Sequence, residues 1–192
     1  MKVIKLTNTY GIARSVIALG LLSVFLFSGP SVLFSEYVLA DNYSSFLNSI
    51  NLFKLFGFEK LWLSYTISIA ILFSVLFGIF PRYTGILHWW VTYSFFSASL
   101  IVEGGDQLAV IITAFLIPIT LMDSRKNHFG PSLQLAKFQK GIASITFLFV
   151  SLQVALLYLE SGVGKLYLSE QWSEGSALYY WLNNPMFARK DF

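Results

Sequence analysis

Apolar residues along this chain gather into five long runs parted by short charged segments. The runs cover residues 12–28, 61–80, 86–102, 108–122 and 142–159. Most of them approach the ~20 apolar residues that a helix needs to cross a bilayer. Lipid offers no partner to a free backbone N–H or C=O, so such runs are predicted as helices. The pattern therefore predicts an all-α, polytopic membrane bundle of about five transmembrane helices. Residues 30–60 are expected to form a long loop, with a short amphipathic helix lying on the surface around 46–58. Residues 81–85 read as a tight turn. Glu103-Gly104-Gly105-Asp106 reads as another, its glycines allowing positive φ. Residues 123–140 form a polar loop. Beyond the fifth run, Tyr167, Trp172, Tyr179, Tyr180 and Trp181 predict a segment lying at the membrane interface.

Composition strengthens the membrane reading. The chain is 56% hydrophobic and only 12% charged, with a mean hydropathy of +0.66. A soluble domain of 192 residues has too little interior to hide that much apolar surface. The net charge of +3 does not point to nucleic acid, because the basic residues are scattered among loops and form no stripe. With no cysteine, the chain has no thiol nucleophile and no thiolate ligand. The first run follows Lys2, Lys5 and Arg14 as a secretion signal would. It lacks a clean small-x-small cleavage site, and Gly29-Pro30 ends it as a helix terminus. A retained first span is expected.

Charge orients the spans. Lys2, Lys5, Arg14, Arg82, Arg125, Lys126, Lys137 and Lys140 fall on one side, with Asp123 the only acid among them. Glu36, Asp41, Glu59, Glu103, Asp106, Glu160, Glu170 and Glu174 fall on the other, with Lys54, Lys60 and Lys165. This places the N-terminus in the cytoplasm of a cell whose membrane the chain crosses several times. Arg189 and Lys190 stay unplaced. No internal repeat or linker divides the chain, so residues 1–192 read as one integral-membrane domain.

Polar positions within the spans are the candidate chemistry, since polar groups are costly in lipid and usually face the bundle or a cavity. His88, Thr92, Phe96, Ser99 and Glu103 follow steps of four, four, three and four, which puts them on one helical face. Ser144, Ser151, Gln153, Ala155, Ser161, Gly162 and Gly164 suit close helix packing. Tyr158, Gly162 and Lys165 share a face at i, i+4 and i+7, with Glu160 pointing elsewhere. Lys165 has two readings: an amine snorkelling to the interface, or a partly desolvated base. Glu103, Asp106, Glu160 and Lys165 either form one polar pole or a solvated rim. His88 and His128 lack metal-ligand spacing, and no metal site is expected. Asn42-Tyr43-Ser44 matches a glycosylation sequon.

Two blocks carry a family resemblance. Tyr158-Leu-Glu-Ser-Gly162-Val-Gly-Lys165-Leu166, with Trp172-Ser-Glu174-Gly175, resembles the signature of the HTTM superfamily, the transmembrane domain shared with vitamin K-dependent γ-carboxylase. The corresponding lysine there is assigned as the base that deprotonates vitamin K hydroquinone. The resemblance implies that role for Lys165, with a quinol as the cofactor, by analogy only. His88-Trp89-Trp90, Glu103-Gly104-Gly105-Asp106-Gln107, Ile117-Pro118 and Asp123-Ser-Arg125-Lys-Asn-His128 are similar to the sporulation-delaying protein B family. Its members are integral membrane proteins that mature a secreted antimicrobial peptide together with a small partner protein. They are usually longer, which leads to the expectation that this chain is C-terminally truncated.

The resemblance implies a maturation factor for a bacteriocin-like peptide, acting at the outer face of the bacterial cytoplasmic membrane. Its partners would be the peptide precursor, the small maturation protein and the lipid bilayer. Whether it is an enzyme stays open. If it is, Lys165 is the expected base, with Tyr158, Glu103 and Asp106 orienting or carrying protons. Gly104, Gly105, Gln107, Gly162, Trp172, Glu174 and Gly175 are the expected structural motif. The alternatives are a quinol-dependent carboxylase-like enzyme, a non-enzymatic scaffold or an immunity protein. Transport is disfavoured by the lack of an inverted repeat, and peptidase activity by the lack of His-Glu-x-x-His.

Overall fold

The computed structural model describes residues 5–6, 8–40 and 46–184. The sequon at 42–44, Lys2, Asp41 and residues 185–192 lie outside the described residues. The chain divides into two compact units, Met1–Val150 and Ser151–Phe192.

The first unit opens with β1 (Lys5–Leu6) and α1 (Thr9–Phe27). Four short helices follow: α2 (Pro30–Leu33), α3 (Glu36–Ala40), α4 (Phe46–Ser49) and α5 (Leu52–Phe56). A 3-10 turn at Phe58–Lys60 leads into α6 (Leu61–Leu76), then α7 (Pro81–Ala98) and α8 (Gly104–Met122). β2 (Leu133–Gln134) pairs antiparallel with β1 before α9 (Lys137–Leu168) begins. The membrane-bundle expectation holds. Among the described residues, four helices are long and apolar enough to cross a membrane: Thr9–Phe27, Phe58–Leu76, Gly104–Met122 and Lys137–Leu168. The fifth expected span, α7, is a helix of 18 residues that is too polar to join them. Its Thr84, His88, Thr92 and Ser94 are buried. It packs chiefly against α8 and α6, so protein rather than lipid covers these groups.

The core lies toward the end of the bundle where α1 finishes and α6 starts. Phe34 stacks on Phe53 at 4.2 Å between centroids, and Phe25 meets Tyr65 edge-on at 4.7 Å and Phe95 at 5.5 Å. The Tyr65 hydroxyl donates to the Phe25 carbonyl at 2.7 Å. The expected surface helix at 46–58 is not one element. Asn51 interrupts it as the N-cap of α5, accepting from Phe53 and Lys54 backbone N–H at 2.8 and 3.2 Å. Its amide donates to the Ser94 carbonyl at 3.0 Å and to Ser97 Oγ at 2.8 Å. Leu52 and Phe53 then point into the core, fully buried. The segment at residues 51–53 is therefore pinned to α7 rather than lying as a surface loop.

Both predicted tight turns shift. The α6–α7 turn lies before Pro81, which is already the first residue of α7. Phe80 takes the left-handed φ of 42°, a strained conformation for a bulky residue. Its N–H donates to the Lys126 carbonyl at 2.8 Å, which holds it there. At 103–106, Gly104 and Gly105 are helical residues of α8, and neither takes positive φ. Glu103 and Asp106 form a reciprocal capping box, with the Glu103 N–H donating to Asp106 Oδ2 at 3.0 Å.

In the second unit, α9 ends at Leu168 and is followed by α10 (Glu170–Ser173) and α11 (Ala177–Asn183). Gly175, at φ 77°, makes the turn between them, where a side chain would be strained. A Cβ at Gly162 or Gly164 would meet nothing within 4 Å.

Candidate functional site

The residues expected to act fall into separate places. Lys165 and Tyr158 lie on α9 in the second unit, both exposed. The Lys165 ammonium sits 4.6 Å from the centroid of Trp172. Glu103 and Asp106 lie in the first unit, joined by their capping box, and Gln107 follows them exposed in the first turn. Gly104 and Gly105 start that helix. Glu174 caps α10, its N–H donating to the Glu170 carbonyl at 2.8 Å, and Gly175 turns the chain after it. The Glu-Gly-Gly-Asp and Trp-x-Glu-Gly blocks are thus a helix start and a helix stop. On the α7 stripe, His88 and Thr92 are buried as expected. Phe96 is only half-buried, and its neighbour Phe95 fills the core instead. The helix stops at Ala98, so Glu103 is not on that face.

The densest polar site is at the other end of the first unit, where α1 and α7 start and α8 stops. Asp123 follows α8 directly and is fully buried. Its carboxylate accepts from Arg125 Nε at 2.9 Å and Nη2 at 2.8 Å, and from the Tyr10 hydroxyl. The bidentate fork fixes Arg125 against the carboxylate. Arg125 Nη1 donates onward to Asn8 Oδ1 and to the Gly130 carbonyl, both at 3.1 Å. The same guanidinium lies 5.9 Å from the Tyr10 ring centroid. Burial works against the Asp123 charge. The Arg125 and Tyr10 hydrogen bonds outweigh it and hold the carboxyl below its ordinary pKa. Arg125 is correspondingly raised, chiefly by its hydrogen bonds to Asp123.

His128 forms the second half of the site. Its backbone N–H donates to the Gly78 carbonyl at 3.0 Å, which draws the ring into the bundle. A Cβ at Gly11 would come within 2.7 Å of the ring, and one at Gly78 within 2.6 Å. Both glycines are therefore the space that His128 occupies. Its Nε2 lies 3.2 Å from Ser15 Oγ, which also lies 3.0 Å from the Leu76 carbonyl. Nδ1 of the same ring is buried with no hydrogen-bond partner. Burial lowers the His128 pKa to about 4, aided by the Arg14 and Arg125 charges and opposed by Asp123.

Arg14 completes the cluster. It is 1% exposed, and its Nη2 donates to Thr84 Oγ1 at 3.2 Å. Among the described residues, Arg14 Nη1, both ring nitrogens of His88 and His128 Nδ1 are buried without a hydrogen-bond partner. The cluster holds two guanidinium groups against one carboxylate. A buried cluster of charged groups with perturbed pKa values is a functional candidate. Sequence reasoning placed Arg14 and Arg125 as loop charges and passed over Tyr10 and Ser15. The available signal was Arg14 itself, well inside the first apolar helix, and the 123–128 motif.

The apolar bundle and this buried cluster define a helical, multi-pass membrane protein. Two proteins of Bacillus subtilis (strain 168) are similar to the chain. The one named "Uncharacterized protein YitO" is 39% identical over 91% of this chain and 57% of its own length. "Sporulation-delaying protein SdpB" is 30% identical over 96% of this chain and 58% of its own length. The chain thus spans less than two thirds of these relatives. No family model matches the chain, so the HTTM and γ-carboxylase resemblance rests on its motif residues alone. No solved structure matches.

Proposed function

We propose that the chain is a sporulation-delaying protein B-like membrane protein that takes part in producing a secreted antimicrobial peptide. It acts at the outer face of the bacterial cytoplasmic membrane, with the peptide precursor and a small maturation protein as partners. The observation that carries this reading is the 30% identity to "Sporulation-delaying protein SdpB" over 96% of the chain. The charge pattern supports the orientation. Arg82, Arg125, Lys126, Lys137 and Lys140 stand at the end where α7 and α9 start. Glu36, Glu59, Glu103 and Asp106 stand at the end where α8 starts. The first end is the cytoplasmic one.

Within this reading Lys165 is the reactive base, with Tyr158 on the same helix α9 beside it. A second reading is favoured by the 4.6 Å contact with Trp172. An indole face stabilises the charged ammonium, which suits an interfacial anchor on a non-enzymatic scaffold. The two separate in one experiment. Cells expressing the peptide precursor with wild-type chain, Lys165→Arg or Lys165→Ala are compared at equal membrane levels, and the secreted peptide is weighed by mass spectrometry. A base is lost in both variants, so precursor accumulates in both. An anchor survives as arginine, which keeps the charge and the ring contact. Unchanged maturation in both variants rules out either role for Lys165.

A further inference from the structure

A crevice of about 280 Å³ opens between α1, α7 and α8, toward the end of the bundle where α8 starts. Ile17 and Gly20 lie in its α1 wall, Gly105 in its α8 wall, and Thr92 and Phe95 of α7 line it. α1 and α8 touch each other little, which leaves the opening between them. A Cβ at Gly20 or at Gly105 would meet no atom within 4 Å. These two glycines therefore do not bring helices together; they leave room. The lining is almost wholly apolar and contains no basic residue, and its single ionisable group is the half-buried Asp106. Glu103 stands beside Asp106 in the capping box and is exposed.

We infer that this crevice receives an apolar segment of the peptide precursor, seated with a lysine or arginine of the peptide beside Asp106 and Glu103. The inference rests on the proposed role in peptide production and names the part of the protein that holds the substrate. Two features select this occupant. The apolar lining and the vacant space at the two glycines take a few apolar side chains. The acidic mouth attracts a cation and repels an anion, so it disfavours a phospholipid, whose phosphate would sit against two carboxylates. Thr92 adds no demand for a polar group at depth, because its hydroxyl already meets Thr113 Oγ1 at 3.0 Å.

The test places a photo-crosslinking amino acid at Ile17 of the full chain, in vesicles of phosphatidylethanolamine and phosphatidylglycerol. The probes are two synthetic peptides with the same leucine–alanine run, one ending in lysine and the other in glutamate. The lysine peptide is expected to be labelled about tenfold more strongly than the glutamate peptide. Asp106→Asn, which still accepts the capping hydrogen bond, removes most of that preference. Gly20→Trp fills the crevice and abolishes labelling, and Gly105→Leu does so from the opposite wall. Crosslinks to lipid alone, or equal labelling of both peptides that survives Gly20→Trp, overturn the inference. A parallel arm follows precursor maturation in cells. Maturation that proceeds in wild type and equally in Gly20→Trp also overturns it. Lysine-selective labelling without maturation by wild type keeps the crevice as a peptide site and rejects the proposed function instead.

Discussion

The segment 123–130 and the segment 158–175 are both short stretches rich in charged and aromatic residues, yet the protein holds them in opposite ways. Asp123 and His128 are fully buried, and Asp123 alone accepts from Arg125 and Tyr10 while Arg125 reaches back to Asn8. Lys165 is exposed and is held by one ring, Trp172. The first region is over-determined: removing any member strands another in a low-dielectric interior. The second is free to meet a ligand.

The sharpest way to break the contrast is Asp123→Ala. It leaves the Arg125 charge without its carboxylate and the Tyr10 hydroxyl without its acceptor, and a buried pair broken on one side costs about 3–5 kcal/mol. The expected result is a large drop in the thermal midpoint of the purified protein in detergent, or loss of the protein from the membrane.

Acid should act through His128. Its pKa is about 4 in the folded protein, against an unfolded value of about 6.5. Between those two values the unfolded chain binds a proton that the folded chain refuses, so stability falls as pH falls. The full window is worth up to about 3 kcal/mol. It is read as the difference in pH slope between wild type and His128→Asn, the latter being less stable at neutral pH but flatter. Asp123, whose folded pKa is depressed, adds its own loss only below the ordinary carboxylate range.

Trp172→Ala is the smallest effect on the fold, below about 1 kcal/mol, because the ring meets an exposed ammonium. A midpoint shift as large as that of Asp123→Ala would remove the contrast between the two regions.

The sequence made the helices legible because a bilayer-length apolar run has few alternatives. The runs at 12–28 and 108–122 became Thr9–Phe27 and Gly104–Met122 with small shifts. It was a poor guide to α7. The run at 86–102 gave no sign that the helix begins at Pro81 and ends at Ala98, although the spacing of His88 and Thr92 did mark a face turned to protein. The buried cluster was largely hidden. Asp-Ser-Arg-Lys-Asn-His reads as a solvated loop, and no local periodicity says that its first and last residues are the buried ones. Their burial comes from partners more than a hundred residues away, Tyr10 and Ser15. The crevice was invisible for a related reason. Gly20 and Gly105 matter through space that only the packing of three helices creates.

The link between Arg14 and Thr84 bears on how the protein is made. α1 leaves the ribosome with an arginine in its first turns, and the hydroxyl that accepts from it is 70 residues further along the chain. Tyr10 and Ser15 wait longer still, for partners 113 residues away. A lone guanidinium is held near the headgroups rather than drawn into hydrocarbon. α1 would thus settle at its final depth only once α7 and the 123–128 segment have joined it.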